Sequence, residues 1–244
     1  VDLGYLELIV LGLITGSFLN ALIYRLPRSI SMARGRSRCT TCGETLAVRD
    51  LIPLFSYIVL GGKCRHCKEV IPWRYPFVEI VLPLLWVIGY HQLGLTLSFI
   101  YFAVITSFLL ALFFTDLEQF VLPDSLTIPA IILSFAWGVY GGTSLFSLIL
   151  GMIVGGAFFA LQYYFSKKKW VGDGDIRFGI LLGAMFGFPR VFLALWVAYL
   201  LGGIVASFLL ILKVKKLDSK IPFGTFLSLA AIITLLYGHY WTLW

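Results

Sequence analysis

An apolar run extends from Gly4 to Tyr24, and comparable runs recur at 76–90, 97–115, 125–141, 144–165, 176–188, 190–212 and 222–243. About 18 or more apolar residues are enough for a helix to cross the ~30 Å hydrocarbon core of a bilayer. Inside that core only helices and closed barrels satisfy their own backbone. The pattern therefore predicts an all-α polytopic membrane protein with about eight transmembrane helices. Charge content agrees: 13% of residues are charged, against about 25% in soluble domains, too few to clothe a water-facing exterior. The runs at 76–90 and 176–188 are short for a complete crossing. The first run has no basic stretch before it and no small-x-small cleavage site after it. It carries Asp2 and Glu7 toward its start and Arg25 and Arg28 behind it. These features predict a first transmembrane helix (1–24) rather than a cleavable signal.

Lysine and arginine set the expected orientation. Eight spans would place the segments 25–75, 116–124, 166–175 and 213–221 on one side. All basic residues except Arg190 fall in or beside that set, including Lys167, Lys168, Lys169, Arg177, Lys213, Lys215, Lys216 and Lys220. That side is expected to be cytoplasmic, with both termini outside. The formal net charge of +7 then reflects topology and attraction to anionic lipid, not a nucleic-acid partner.

One long polar segment, 25–75, carries all four cysteines, in "RCTTCGE" and "KCRHCKE". Cys39 with Cys42, and Cys64 with Cys67, form two C-x-x-C pairs. Each pair can present two thiolates to one metal through a tight turn, and two such knuckles complete a tetrahedral four-thiolate site suited to Zn2+. Gly43, directly after Cys42, fits the knuckle turn. Two disulfides are the rival reading, and a loop in a reducing compartment disfavours them. With all four ligand positions filled, the zinc is expected to be structural, and in so small a loop it would supply much of the folding energy. His66 is spare and reads as a solvated loop histidine.

Acids mark the same edge of the membrane. The third run ends in "TDLEQFVLPD", containing Asp116, Glu118 and Asp124. The sixth begins at "GDGDIRFG", containing Asp173 and Asp175. A carboxylate at the hydrocarbon boundary is costly unless paired, wetted or used. Either acid alone could simply mark where a helix enters water. Asp116 and Asp175, set at matching depth on one face, suggest a pair sharing one proton, one acting as base on a water and the other as acid toward a carbonyl oxygen. A cation or proton pathway is the alternative from another class, a small transporter with a regulatory zinc loop. Clustering of the acids at one face speaks against it. Asp173, between two glycines, suits a turn or cap, Asp124 could cap the fourth helix, and the glycines suit close approach and unusual dihedrals. Gly151 and Gly155 form a G-x-x-x-G that signals close helix packing. His91 and His239, with Tyr90, Tyr240 and Trp241, read as interfacial-belt residues.

The residues now assembled resemble the type IV prepilin peptidases, the leader peptidase/N-methyltransferases, over nearly the full chain. "GSFLNALIYRLP" (Gly16–Pro27), "CTTC" and "CRHC", "WRYPFVEI" (Trp73–Ile80), "TDLEQFVLPD" and "GDGDIRFG" occur in the family's order. The resemblance implies a G-x-G-D aspartic protease with Asp116 and Asp175 as its catalytic pair. It would remove the basic leader of prepilins or pseudopilins at the cytoplasmic face of the bacterial inner membrane. It would then N-methylate the new terminal residue with S-adenosylmethionine. Where the family often has lysine two residues after the second aspartate, this chain has Arg177, which leaves its role open. Cysteine-bearing members are bifunctional, so 25–75 is expected to be the methyltransferase-associated zinc loop and 76–244 the peptidase core. A cleavage-only peptidase is the alternative. Glu79 is a candidate for the methyl-transfer site or substrate contacts, or else a boundary carboxylate paired with Arg74.

Overall fold

The computed structural model describes residues 3–32, 35–214 and 221–241. Nine α-helices carry these residues: α1 (Leu3–Arg25), α2 (Phe55–Val59), α3 (Arg74–Leu93), α4 (Leu97–Gln119), α5 (Asp124–Tyr140), α6 (Leu145–Phe165), α7 (Asp173–Phe186), α8 (Val191–Ile211) and α9 (Phe223–Trp241). No β-strand occurs among the described residues, only two isolated bridges in the cysteine segment. A helix stands at each of the eight apolar runs. Five of them, α1, α3, α4, α6 and α8, are long and apolar enough to cross a membrane. The helices α5 and α9 are shorter apolar helices, and α7 has only 14 residues.

Three helices extend beyond the sequence reading by more than two residues. The helix α3 continues beyond 76–90 at both ends, with Pro83 accommodated inside it. The helix α4 does not stop before Asp116 but runs on to Gln119, so that acid lies within its last turns. Asp173 and Asp175 belong to the first turn of α7 instead of preceding it. Arg34, Lys215, Lys216 and Lys220, used in the orientation argument, lie outside the described residues, as do the side chains of His239, Tyr240 and Trp241.

The chain divides into two compact units, Val1–Ala111 and Leu112–Trp244. In the first, α1 and α3 approach closely because Gly12 and Gly16 remove two side chains from one face of α1. A Cβ on Gly12 would lie 2.6 Å from Pro83 Cβ, and one on Gly16 would lie 3.0 Å from Glu79 Cα. Near the other end of this pair, Tyr90 sets its ring edge-to-face with those of Tyr5 and Phe99. Asn20 Nδ2 donates to the Tyr75 carbonyl at 3.0 Å, tying the two ends of the cysteine segment together.

The second unit is built around α7, which packs on α5, α6, α8 and α9. Its inner face comprises Asp175, Phe178, Gly179, Leu181, Leu182, Gly183 and Ala184, all buried. The closest packing is with α6, where Gly151 and Gly155 meet Gly179, Gly183 and Gly187. A Cβ on Gly179 would be 2.2 Å from the Gly155 carbonyl oxygen, and one on Gly183 2.2 Å from that of Gly151. The sequence motif at Gly151 and Gly155 is thus a helix-packing motif, and the glycines of α7 are its partners. The helix that carries Asp175 is held by backbone-to-backbone contact, with no side chain between that could yield.

Candidate functional site

Asp116 and Asp175 both lie in the second unit, and both are buried. Asp116 Oδ2 accepts the Thr225 N–H at 2.8 Å and the Thr225 hydroxyl at 3.2 Å, at the start of α9. Asp175 Oδ2 accepts the Gly172 N–H at 2.8 Å, reaching back across the first turn of its own helix. The helix-capping function expected of Asp173 therefore falls to Asp175, as the third residue of α7. Its other oxygen takes no hydrogen bond from the described residues. The two carboxylates lie close enough for the charge of Asp116 to act on Asp175. Leu122, in the segment joining α4 to α5, fills the space beside both: Gly174 and Gly224 each lack the Cβ that would come within about 3 Å of it, at 3.0 and 2.9 Å respectively. The Gly224 Cβ would also stand 2.9 Å from Asp116 Oδ2. Acids nearly sixty residues apart in sequence are thus brought together by three elements, the ends of α4 and the starts of α7 and α9.

The other acids of the motifs have a different partner. Arg177 donates to Asp124, the first residue of α5, and to Asp173 Oδ2 at 2.9 Å, one turn back on α7. The guanidinium bridges two helix starts, and all three side chains are substantially exposed. Asp124 makes no side-chain cap on its own helix. Neither Gly172 nor Gly174 adopts a left-handed backbone, so the motif's glycines serve close approach and not unusual dihedrals. Sequence reasoning also missed Tyr199 on α8. Its hydroxyl donates to Gln162 Oε1 at 2.8 Å, its ring lies 4.8 Å from that of Phe223, and it stands within the electrostatic reach of Asp175. A tyrosine in an apolar helix carries no signal in the sequence until its neighbour Gln162 is known.

The four cysteines converge in the first unit. All four Sγ atoms lie within 4.8 Å of one another, without His66. None is in a disulfide. Four sulfurs at the usual 2.3 Å from a tetrahedral zinc stand about 3.8 Å apart, and the Cys39 and Cys67 sulfurs are 3.8 Å apart. The donor set and spacing fit the ion. The two knuckles repeat each other: the Cys39 N–H donates to the Glu44 carbonyl at 2.9 Å and the Cys64 N–H to that of Glu69 at 2.8 Å. Each knuckle closes with an antiparallel bridge, Arg38 with Thr45 and Lys63 with Val70. Gly43 and Lys68 occupy the same left-handed position, φ 73° and 61°. Backbone N–H groups, that of Cys42 foremost, bring the Cys39 thiol down to about 7. Cys67 is drawn down by the Glu69 N–H, but burial and the neighbouring sulfurs push it up to about 11. Thiolates gathered this closely repel one another, and a divalent cation bound among them would offset that charge.

From inside the second knuckle, Arg65 donates to Asp50, in the segment between the two knuckles, through two nitrogens at 3.0 and 2.7 Å. Glu79, buried on α3, accepts the Leu54 N–H at 2.8 Å and the Ser17 hydroxyl. It thereby fastens the cysteine segment to both α1 and α3.

Two family models match successive parts of the chain. Residues 10–93 match the model of the bacterial peptidase A24 N-terminal domain, and residues 103–207 match that of the type IV leader peptidase family. A prepilin leader peptidase/N-methyltransferase of Pseudomonas putida is 31% identical over 94% of this chain and 89% of its own length. One from Aeromonas hydrophila is 30% identical over 98% and 93%, and one from Myxococcus xanthus 35% identical over 84% and 62%. No solved structure matches the chain.

Proposed function

This chain belongs to the type IV leader peptidase family, and from that premise we propose that it removes the leader of prepilins or pseudopilins and N-methylates the new amino terminus. The observation that carries the peptidase reading is the buried carboxylate pair. Asp116 and Asp175 each have one oxygen fixed by a backbone N–H, and the free oxygen of Asp175 is available to a reactant. Two carboxylates in each other's field share one proton. The ionised partner takes a proton from water as that water attacks the scissile carbonyl. The protonated partner donates to the carbonyl oxygen, and the tetrahedral intermediate collapses with proton transfer to the leaving amine. The backbone hydrogen bonds aim the pair, and burial keeps competing water out.

The reaction takes place at the cytoplasmic face of the inner membrane, an assignment supported by the basic residues of the 25–75 segment. Cys39, Cys42, Cys64 and Cys67 would hold a structural zinc ion, which would cross-link the two knuckles. Residues 25–75 serve methyl transfer and 76–244 proteolysis. S-adenosylmethionine, as co-substrate, supplies an electrophilic methyl group to the freed amine. Glu79 is the proposed residue of this second activity, held in one orientation by Leu54 and Ser17 at the junction of the zinc segment with α3.

The test is incubation of purified protein with a prepilin, with and without S-adenosylmethionine, read by intact mass. Leader loss is expected in both cases, and the mass of one methyl group only with the donor. Asp116→Asn and Asp175→Asn are each expected to abolish cleavage while a pre-cleaved pilin is still methylated. Cleavage by either variant at the unsubstituted rate would remove that residue from the pair.

A further inference from the structure

The cysteine segment is the most polar part of the chain, yet it displays a dense set of exposed apolar side chains. On the short helix α2, Phe55 is 61% exposed, Ile58 75% and Val59 61%. Val48 and Ile52, just before α2 in the chain, and Val70, after it, are also exposed. Monomeric soluble surfaces rarely gather apolar side chains in this way without a partner to cover them.

The hydrogen bond from the Leu54 N–H to Glu79 fixes where this surface lies. The helix α3 has 20 residues, Arg74–Leu93, and so spans about 30 Å, the thickness of the hydrocarbon core, with no turn to spare. Glu79 lies five residues into it, about 7 Å along the axis from its first residue. Leu54 is 2.8 Å from that carboxylate, and α2 begins at the next residue. The helix α2 is therefore held level with the membrane boundary and not out in water. At the same end of α3, exposed Trp73 and Phe77 set their rings edge-to-face at 5.3 Å, where aromatic residues favour the headgroup layer. The charge around it is complementary to anionic lipid: 25–75 holds ten basic residues against three acidic ones, and Arg49, Lys63 and Lys68 are exposed.

We propose that α2 is an interfacial foot: Phe55, Ile58 and Val59 enter the headgroup–acyl boundary of the leaflet beside α3, and the surrounding basic side chains hold anionic headgroups. The foot seats the zinc knuckles against the membrane surface, where a substrate emerging from the bilayer would meet them. An apolar face backed by basic residues is the ordinary chemistry of membrane-surface helices, and here a hydrogen bond to a spanning helix sets its depth. The inference depends on α3 crossing the bilayer and not on the peptidase activity.

The test places the photoreactive p-benzoylphenylalanine at Ile58. Leu84, exposed on α3, is the lipid-facing control, and Glu44, exposed on the first knuckle, the water-facing one. The full-length protein is reconstituted in phosphatidylethanolamine/phosphatidylglycerol vesicles, irradiated, and its adducts identified by mass spectrometry. Zinc content confirms that each labelled protein is folded. Lipid adducts at Ile58 are expected at a yield comparable with Leu84 and absent at Glu44, with phosphatidylglycerol over-represented relative to its share of the vesicle. An Ile58 yield as low as that of Glu44, or cross-linking to a second copy of the chain in place of lipid, would overturn the foot. Adducts that mirror the vesicle composition would overturn its lipid selectivity.

Discussion

Replacing Gly179 with alanine tests whether the α6–α7 backbone contact positions the second aspartate. The added Cβ would stand 2.2 Å from the Gly155 carbonyl oxygen, 2.7 Å from the Gly155 carbonyl carbon and 2.7 Å from Phe159 Cδ2. An ordinary carbon–oxygen contact is about 3.3 Å, so the helices must separate by about 1 Å, and since the obstacle is backbone no rotamer change relieves it. Overpacking of this kind costs about 1–3 kcal/mol, and the upper end is expected here. The functional effect should exceed the loss of stability. Asp175 lies one turn before Gly179 on the same helix, and a misplacement of about 1 Å at a reacting group can cost ~100-fold in rate. The assay is prepilin cleavage at limiting substrate, read by intact mass alongside thermal unfolding in detergent. Gly203→Ala serves as the control, because a Cβ there meets nothing within 4 Å. If Gly179→Ala cleaves at an undiminished rate, then α7 does not depend on this contact for its register, and the positioning argument fails.

Three further outcomes are expected in the cysteine segment. Cys64→Ser should lose bound zinc by elemental analysis and expose 35–72 to protease, because one missing thiolate leaves three that cannot close the site. Lys68→Gly should strengthen the second knuckle: a left-handed φ of 61° costs a non-glycine residue about 1–2 kcal/mol. Glycine's larger chain entropy offsets part of this, for a net gain of about 0.5 kcal/mol, read as slower zinc loss to a chelator. The Arg65 guanidinium holds the Asp50 carboxyl below its ordinary range, so its contribution to stability is complete above the unfolded value of about 4 and is lost as pH falls through the lowered one. Asp50→Asn should therefore weaken hydrogen-exchange protection around Asp50 at pH 7, and the difference from the unsubstituted protein should shrink as pH falls below about 4.

Features of the fold that depend on local pattern were legible in the sequence. Apolar run length placed a helix at each of the eight runs, of which five are long and apolar enough to cross a membrane, where a helix satisfies its own backbone. The C-x-x-C spacing placed all four sulfurs in one cluster, because a knuckle is a local turn repeated. The two catalytic candidates were legible as acids at a costly position. What holds them was not: Thr225 and Gly224 lie more than a hundred residues from Asp116, and no periodicity joins them. The helix α2 was also hidden, since five residues are too few for a helical period to register. Asp116 was read as lying beyond its helix because hydropathy ends there, whereas the backbone hydrogen bonds continue for another turn.

The four residues "GDGD" assign four different tasks. Gly172 supplies its N–H to Asp175, and any residue but proline has one. A Cβ there would meet only the Asp175 oxygen and the Gly174 nitrogen, at 3.7 and 3.9 Å. Asp173 faces outward and pairs with Arg177, an exposed contact that contributes little on its own. Gly174 is required for space, since Leu122 would stand 3.0 Å from its Cβ, and Leu122 in turn closes on Gly224 beside Asp116. Asp175 alone turns inward. Its hydrogen bond to Gly172 consumes one oxygen and fixes the plane of the carboxylate, leaving the other oxygen without a hydrogen bond among the described residues. The cap and the proposed catalytic role are therefore not in competition: the cap on the first oxygen would orient the second for chemistry.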